Sequence, residues 1–376
     1  MGRKLGLALL AGGTLRVALW ALLRPSQVWD GALYTALAEG LRAGRGYVSP
    51  LGAPTAFFPP GLPLALAAAP AELAPLAVNL VAFAVSALAV SSFGDRGHRA
   101  AWCVALYPGL ALWSLAAMTE TLAGALAVAA VAVALGPFGS PGRRALGAGA
   151  LVGLLTLVRP QGLLLAPLVG ALVGTRAGLR HRARTLLAAL STVAALGLVA
   201  PWTARNSFAL GGPVLVSTNQ GSNLYLGTLP EALGGYQPVP RSHPCLRLPS
   251  ERERDRCLQR EGAARAWEHP ARWVGLGALK LLRTLAWEHC PAAWLRDASP
   301  LGAGPERALT LACTLAWWAL LGSALRRRGV GVSRTERAGL LVAAGVLLAP
   351  HALFLGDDRF HLAVVPLLAP LASRRA

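Results

Sequence analysis

The residues able to do chemistry in this chain stand at the ends of apolar runs. Asp30 follows the first run, and Glu120 closes Met118-Thr119-Glu120 after a later one. Arg159 precedes Pro160, Arg205 precedes Asn206, and Asp357, Asp358, Arg359 and His361 share the stretch 356–361. A carboxylate at a wet surface can take the proton of a hydroxyl. The planar guanidinium fork of arginine matches a phosphate. Five segments carrying these groups together predict acid–base work on an anionic substrate. Each group also has a plainer reading. Asp30 could cap a helix over 31–42. Glu120 could pair with an arginine at a span end, and Arg159 could anchor a helix at an interface. Asp357-Asp358-Arg359 could form a solvated turn, and His361 could be an interfacial histidine.

The elements that must position these groups are apolar helices. Of 376 residues, 55% are hydrophobic and 14% charged, with mean hydropathy +0.50. Soluble domains carry about 25% charged residues. The Leu, Ala, Val and Gly runs do not alternate, which argues for a polytopic helical bundle and against a barrel. Net charge is +19, and the Lys and Arg residues fall in short clusters between the runs. That distribution fits the positive-inside rule and not a nucleic-acid face.

Read in order, the runs predict a single all-α membrane domain over 1–376 with about ten transmembrane helices. Span 1 covers 5–23, uncleaved, with Arg3 and Lys4 ahead of it on the cytoplasmic side. Arg16 in its middle faces the bundle interior, a wet cavity, or snorkels. A first outer loop, 24–60, follows. A short interfacial helix then leads into a span from about residue 73. A further span, 100–117, climbs to deliver Glu120, and the next descends to about 135. Two arms, 145–158 and 161–174, are each shorter than the roughly 20 residues a crossing needs. They should place the Arg159-Pro160 tip inside a cavity. A span over 185–202 exits to Arg205. A large outer loop, 203–305, contains an exposed helix and an interfacial one over 271–289. Spans over 337–355 and to the C-terminus flank the 356–361 stretch. The basic clusters at 93–99, 137–144, 176–184, 326–329 and 373–376 all fall on the cytoplasmic side, and the acidic and Arg-Pro motifs on the other.

Cys245 and Cys257 lie in the outer loop, where an oxidising compartment would permit a disulfide. Cys103 and Cys313 lie in spans and are inert. His243 meets no metal-ligand spacing, so no metal site is predicted. No Gly-Lys-Ser/Thr phosphate loop, Rossmann fingerprint or His-Glu-x-x-His occurs, which excludes the nucleotide and zinc-protease chemistry those motifs carry. Pro59-Pro60 shapes a helix entry.

The ordered set W-D-x-x-x-Y, P-P-G-x-P, M-T-E, R-P-Q-G, P-W-x-x-R-N, S-T-N-x-G-x-N-L-x-x-G and G-D-D-R-F-H resembles bacterial GT-C glycosyltransferases. It is similar to the protein O-mannosyltransferase and aminoarabinose transferase group, glycosyltransferase family 39. The resemblance runs through nearly the whole chain. It implies a polyprenyl-phosphate sugar as donor substrate and an acceptor hydroxyl on a glycan, lipid or protein, and it leaves a divalent metal, with Glu120 as its contact, open. Asp30 is then the general base, and Arg159, Arg359 and Arg205 hold the donor phosphate. Glu120, Tyr34, Asp357, Asp358 and His361 line the acceptor side or support the others. The setting is the cytoplasmic membrane, with the site facing outward. Relatives often carry two adjacent acids in the first loop, whereas Gly31 follows Asp30 here. That weakens a two-carboxylate or metal role and leaves a single base intact. A lipid-linked sugar or polysaccharide transporter would use similar groups, but it should show repeated halves with paired broken helices, which the sequence lacks. A non-catalytic binder of polyprenyl lipid is the third reading.

Overall fold

A computed structural model describes residues 2–94, 97–137, 139–231, 233–326 and 331–372. The predicted basic cluster at 373–376 lies outside the described residues, as do parts of those at 93–99, 137–144 and 326–329. Among the described residues the chain is helical and has no β-strand, only a bridge between Val48 and Pro54. Four helices are long and apolar enough to cross a membrane: α1 (Gly2–Leu23), α4 (Ala74–Ser91, with the turn Ala71–Leu73), α10 (His181–Ala209) and α15 (Glu306–Arg326). Most of α1, α10 and α15 is unburied. Leu10, Leu22, Leu186, Val193 and Leu311 are exposed along them. Bare apolar length of this kind is compatible with a membrane-embedded protein.

The other expected crossings are shorter or broken. The run 100–117 is two helices, α5 (Gly97–Leu106) and α6 (Pro108–Trp113). Pro108 has no N–H to return to Val104, so the helix stops there. Arg16 of α1 makes up the loss. Its Nη1 donates to the Ala105 carbonyl at 3.0 Å and its Nη2 to that of Val104 at 3.4 Å, and the guanidinium lies 4.1 Å from the Phe83 ring centroid. The mid-span arginine is therefore buried and serves carbonyls that a proline leaves free. Proline sets the next break too. α8 (Pro141–Val158) ends at Arg159, whose extended φ of −140° suits a residue before proline. A turn over Pro160–Leu165 then leads to α9 (Ala166–Arg176). The expected two short arms are present. The run 337–355 is α16 (Arg334–Leu348) followed by the turn Ala349–Ala352. The last apolar stretch is the tight turn Asp358–Val364 and α17 (Val365–Ala372).

α7 (Thr119–Leu135) runs through the core between α4 and α8, and α10 packs on α8 and α9. At its C-terminal end Arg144 donates to the Ala134 carbonyl and Arg176 to that of Leu135. Cations there oppose the negative end of the helix dipole. The first turn of α7 holds Glu120, so basic clusters and acidic motifs do occupy opposite ends of this helix.

At the Glu120 end lie α2 (Asp30–Arg42), α3 (Gly61–Ala67), α11 (Gln220–Thr228), α12 (Glu251–Glu268), α13 (Pro270–Ala286) and α14 (Cys290–Ala298). α13 is amphipathic, with Leu276, Lys280 and Thr284 inward and Val274 and Leu282 exposed. A disulfide joins Cys245 and Cys257. α3 crosses α8 so closely that a Cβ at Gly61 would stand 2.8 Å from the Leu157 carbonyl oxygen.

Candidate functional site

Asp30 is the first residue of α2 and makes no capping hydrogen bond. The chain reaches it through Trp29 at φ 56°, a left-handed conformation uncommon outside glycine. The Trp29 indole is pinned to Asp297 Oδ2 at 3.0 Å. That anchored bend turns the Asp30 carboxylate away from its own helix N-terminus and toward Arg359. Arg359 Nη1 lies 3.1 Å from Asp30 Oδ2. The cap role open in the sequence is not used.

Arg359 is the hub. Its Nε is 3.6 Å from Asp357 Oδ2 and 3.9 Å from Glu120 Oε1, and it has no hydrogen bond of its own. Burial works against the Arg359 charge, but the carboxylates of Asp357, Glu120 and Asp30 outweigh it and raise the affinity for its proton. Glu120 also accepts from Arg159 Nη2 at 2.5 Å and from Trp113 Nε1 at 2.9 Å. Arg159 Nε donates to Thr119 Oγ1 at 2.9 Å. Both guanidiniums rest on the Phe360 ring, at 5.2 and 5.3 Å from its centroid. Behind them the ring stacks on His351 at 4.0 Å. The network is graded in access: the Asp30 side chain is 39% exposed and that of Glu120 2%. Asp30 can meet a substrate, while Glu120 holds the two arginines from below.

Four of the expected residues thus converge: Asp30, Glu120, Arg159 and Arg359. Asp357 joins them. It accepts from the Arg359 N–H at 3.1 Å and from Cys290 Sγ at 3.0 Å. Burial opposes its charge, yet Arg359 and these hydrogen bonds hold it below the usual carboxylate range. Asp358 faces the other way and accepts the backbone N–H groups of His289 and Cys290 at the start of α14. Burial, and then the Asp357 charge, push its proton affinity up. Tyr34 is buried beside the network with its ring 4.5 Å from that of Phe58. Burial and then the Asp30 and Glu120 charges raise its pKa, so it stays a neutral phenol.

Two expected residues stand elsewhere. Arg205 donates to the carbonyls of Tyr47 and Thr55, each at 2.6 Å, and lies over Trp202. It ties down the loop 43–60 and does not reach the Asp30 network. Glu251 assists it, accepting from Thr55 Oγ1 at 2.6 Å and the Ala56 N–H at 2.8 Å. His361 is fully buried, with Nδ1 at 2.6 Å from the Thr284 carbonyl and Nε2 at 2.8 Å from Glu288 Oε2. Its ring stacks on Trp317 at 4.0 Å. Tyr107 donates its hydroxyl to the same Glu288 oxygen.

Gly31, the residue after Asp30, faces protein and not the network. A Cβ there would lie 3.3 Å from Gln27 Oε1 and 3.5 Å from the Ala117 carbonyl oxygen. A carboxylate at that position would meet oxygens. Among the described residues Cys290, Asp357 and Asp358 could hold a cation, with ligand atoms within 4.8 Å of one another. Their oxygens are already engaged by Arg359 and by backbone N–H groups. A second grouping, His243, Cys245 and Glu261, loses its sulfur ligand to the disulfide.

Sequence reasoning missed Cys290, Glu288 and Tyr107. Glu288 and Tyr107 stand 181 positions apart and Cys290 and Asp357 67, and no local pattern links them. The chain matches no protein-family model, and no curated protein matches it significantly. Fold and site together define an all-helical protein with membrane-length helices and a partly open acid–arginine network at one end of its bundle.

Proposed function

We propose that the protein is an integral membrane glycosyltransferase of the GT-C kind. It moves a sugar from a polyprenyl-phosphate donor to an acceptor hydroxyl on the outer face of the cytoplasmic membrane. The whole chain, with about ten crossings including short and broken ones, forms the scaffold. The observation that carries the reading is the 3.1 Å pair of Asp30 and Arg359, brought together from opposite ends of the chain at an accessible position.

Asp30 accepts the acceptor's hydroxyl proton as the oxygen attacks the anomeric carbon. The bond from that carbon to the phosphate oxygen breaks, and polyprenyl phosphate leaves with the electron pair. Attack opposite the leaving group inverts the sugar carbon. Arg359 and Arg159 face the charge that grows on the phosphate, and such fixed donors stabilise a leaving anion strongly. Phe360 and Glu120 hold both forks, so the donor finds them oriented. Entry of the phosphate exchanges Arg359's contact with Asp30 for one with the donor and frees the carboxylate for the acceptor.

The test is sugar transfer in membranes supplied with a radiolabelled polyprenyl-phosphate-sugar pool. The reading expects transfer that depends on the chain. Movement of the intact lipid-linked sugar across vesicles without transfer would replace it with the transporter reading.

A further inference from the structure

Beside the network lies an open cleft of about 440 Å3 that the proposed chemistry leaves unused. Two glycine turns, at 234–235 and 356, form part of its lining. The Gly356 N–H donates to the Gly234 carbonyl at 2.9 Å and ties the turns together. A Cβ at Gly356 would stand 2.2 Å from the Lys280 carbonyl oxygen, so the turn can lie flat on α13 only as glycine. Gly234 takes φ 81°, a left-handed bend that glycine adopts freely. The rest of its lining mixes two chemistries. Trp287 and Tyr236 line it with 60% and 70% of their surfaces exposed. Arg283 lies beside them, exposed and without an ion pair among the described residues. Asp357 and Asp358 line it too.

Resting on the reading above, we infer that this cleft is the acceptor subsite and that its ligand is a carbohydrate ring. Three features carry the inference. The volume falls within the range of about 300 to 1,000 Å3 typical of ligand sites. Exposed flat aromatic rings and carboxylates in one cleft suit a sugar, whose C–H face packs on an aromatic and whose hydroxyls donate to acids. A polyprenyl tail would meet the charged Arg283, Asp357 and Asp358 in the lining. The cleft also shares Asp357 with the acid–arginine network. Asp357 lines it and is 3.6 Å from Arg359, which is 3.1 Å from Asp30. A sugar hydroxyl leaving the cleft past Asp357 arrives at the base.

The test uses the full-length protein in nanodiscs. Saturation-transfer NMR would be recorded with neutral methyl glycosides, from mono- to trisaccharide, and separately with undecyl phosphate. The wild type is expected to bind glycosides, with Trp287→Ala weakening them roughly tenfold and Trp287→Phe retaining most of the signal. Because Trp287 is mostly exposed, both variants should fold, and unchanged unfolding midpoints would verify that. Asp30→Asn should keep the glycoside signal while losing sugar transfer. Glycoside binding without any transfer would leave the subsite standing and remove the glycosyltransferase reading. Transfer by the wild type with glycosides silent, or unaffected by Trp287→Ala, would overturn the subsite alone. A Trp287 dependence seen only with undecyl phosphate would do the same, reassigning the cleft to lipid.

Discussion

Two clusters meet on the short segment 358–364, and Arg359 reaches into one while His361 reaches into the other. Both join acids to bases across long stretches of chain. Around Arg359, two guanidiniums face three carboxylates, and Asp30 keeps 39% of its side chain open. Around Glu288, one carboxylate meets one histidine and a tyrosine, and the Glu288 and His361 side chains are 0% exposed. The difference is access and surplus. Open groups with excess charge can receive a substrate. A pair sealed from solvent can only hold the chain, and this one fixes the last segment against α13 and α15. The same residue types thus serve chemistry on one side of the segment and positioning on the other.

That contrast can be broken by substitution. Arg359→Gln should lower sugar transfer per folded molecule by roughly 100- to 1,000-fold, the scale of a lost charge-stabilising donor. An assay normalised to folded protein reads this directly. Glu288→Ala should act on the fold instead. Breaking a buried pair costs about 3–5 kcal/mol, visible as an earlier unfolding midpoint in nanodiscs, with transfer by the remaining folded protein close to wild type. A stable Glu288→Ala protein with transfer lost as in Arg359→Gln would move the sealed cluster into the chemistry. Arg16→Met should cost less, about 1–3 kcal/mol for carbonyls left without donors, again read from unfolding.

The smallest effect is a pH slope. Burial, with the Arg272 charge second, pushes Lys280 down from 10.5 to about 8. A folded-state value below the unfolded one means that protonated Lys280 opposes folding. The cost is fully present below about pH 8 and fades as pH rises toward 10.5. Stability should therefore climb over that window in the wild type more steeply than in Lys280→Met, as chemical unfolding at a series of pH values would show.

Much of the architecture is legible in the sequence because it rests on local rules. Long apolar runs mark α1, α4, α10 and α15, Arg159-Pro160 marks the break between α8 and α9, and the amphipathic pattern marks α13. The convergence of Asp30, Glu120, Arg159 and Arg359 follows from their shared place at span ends. The rest depends on distant contacts. Pro108 splits a run that hydropathy reads as one helix, and a full helix there would have required an N–H that proline lacks. Arg205 sits in a motif beside the site, yet its donors reach two loop carbonyls, a choice set by the fold of residues 43–60. His361 follows Arg359 by only two positions. The tight turn sends it to the opposite side, toward Glu288, and nothing in the local sequence announces that partner.

The most direct measurement is sugar transfer by wild type and Asp30→Asn from a radiolabelled polyprenyl-phosphate-sugar pool. Asparagine keeps the size of Asp30 and cannot take a proton. The account predicts chain-dependent transfer by the wild type that falls roughly 100-fold or more in the variant, the scale of a lost general base. Equal transfer by both proteins would contradict it.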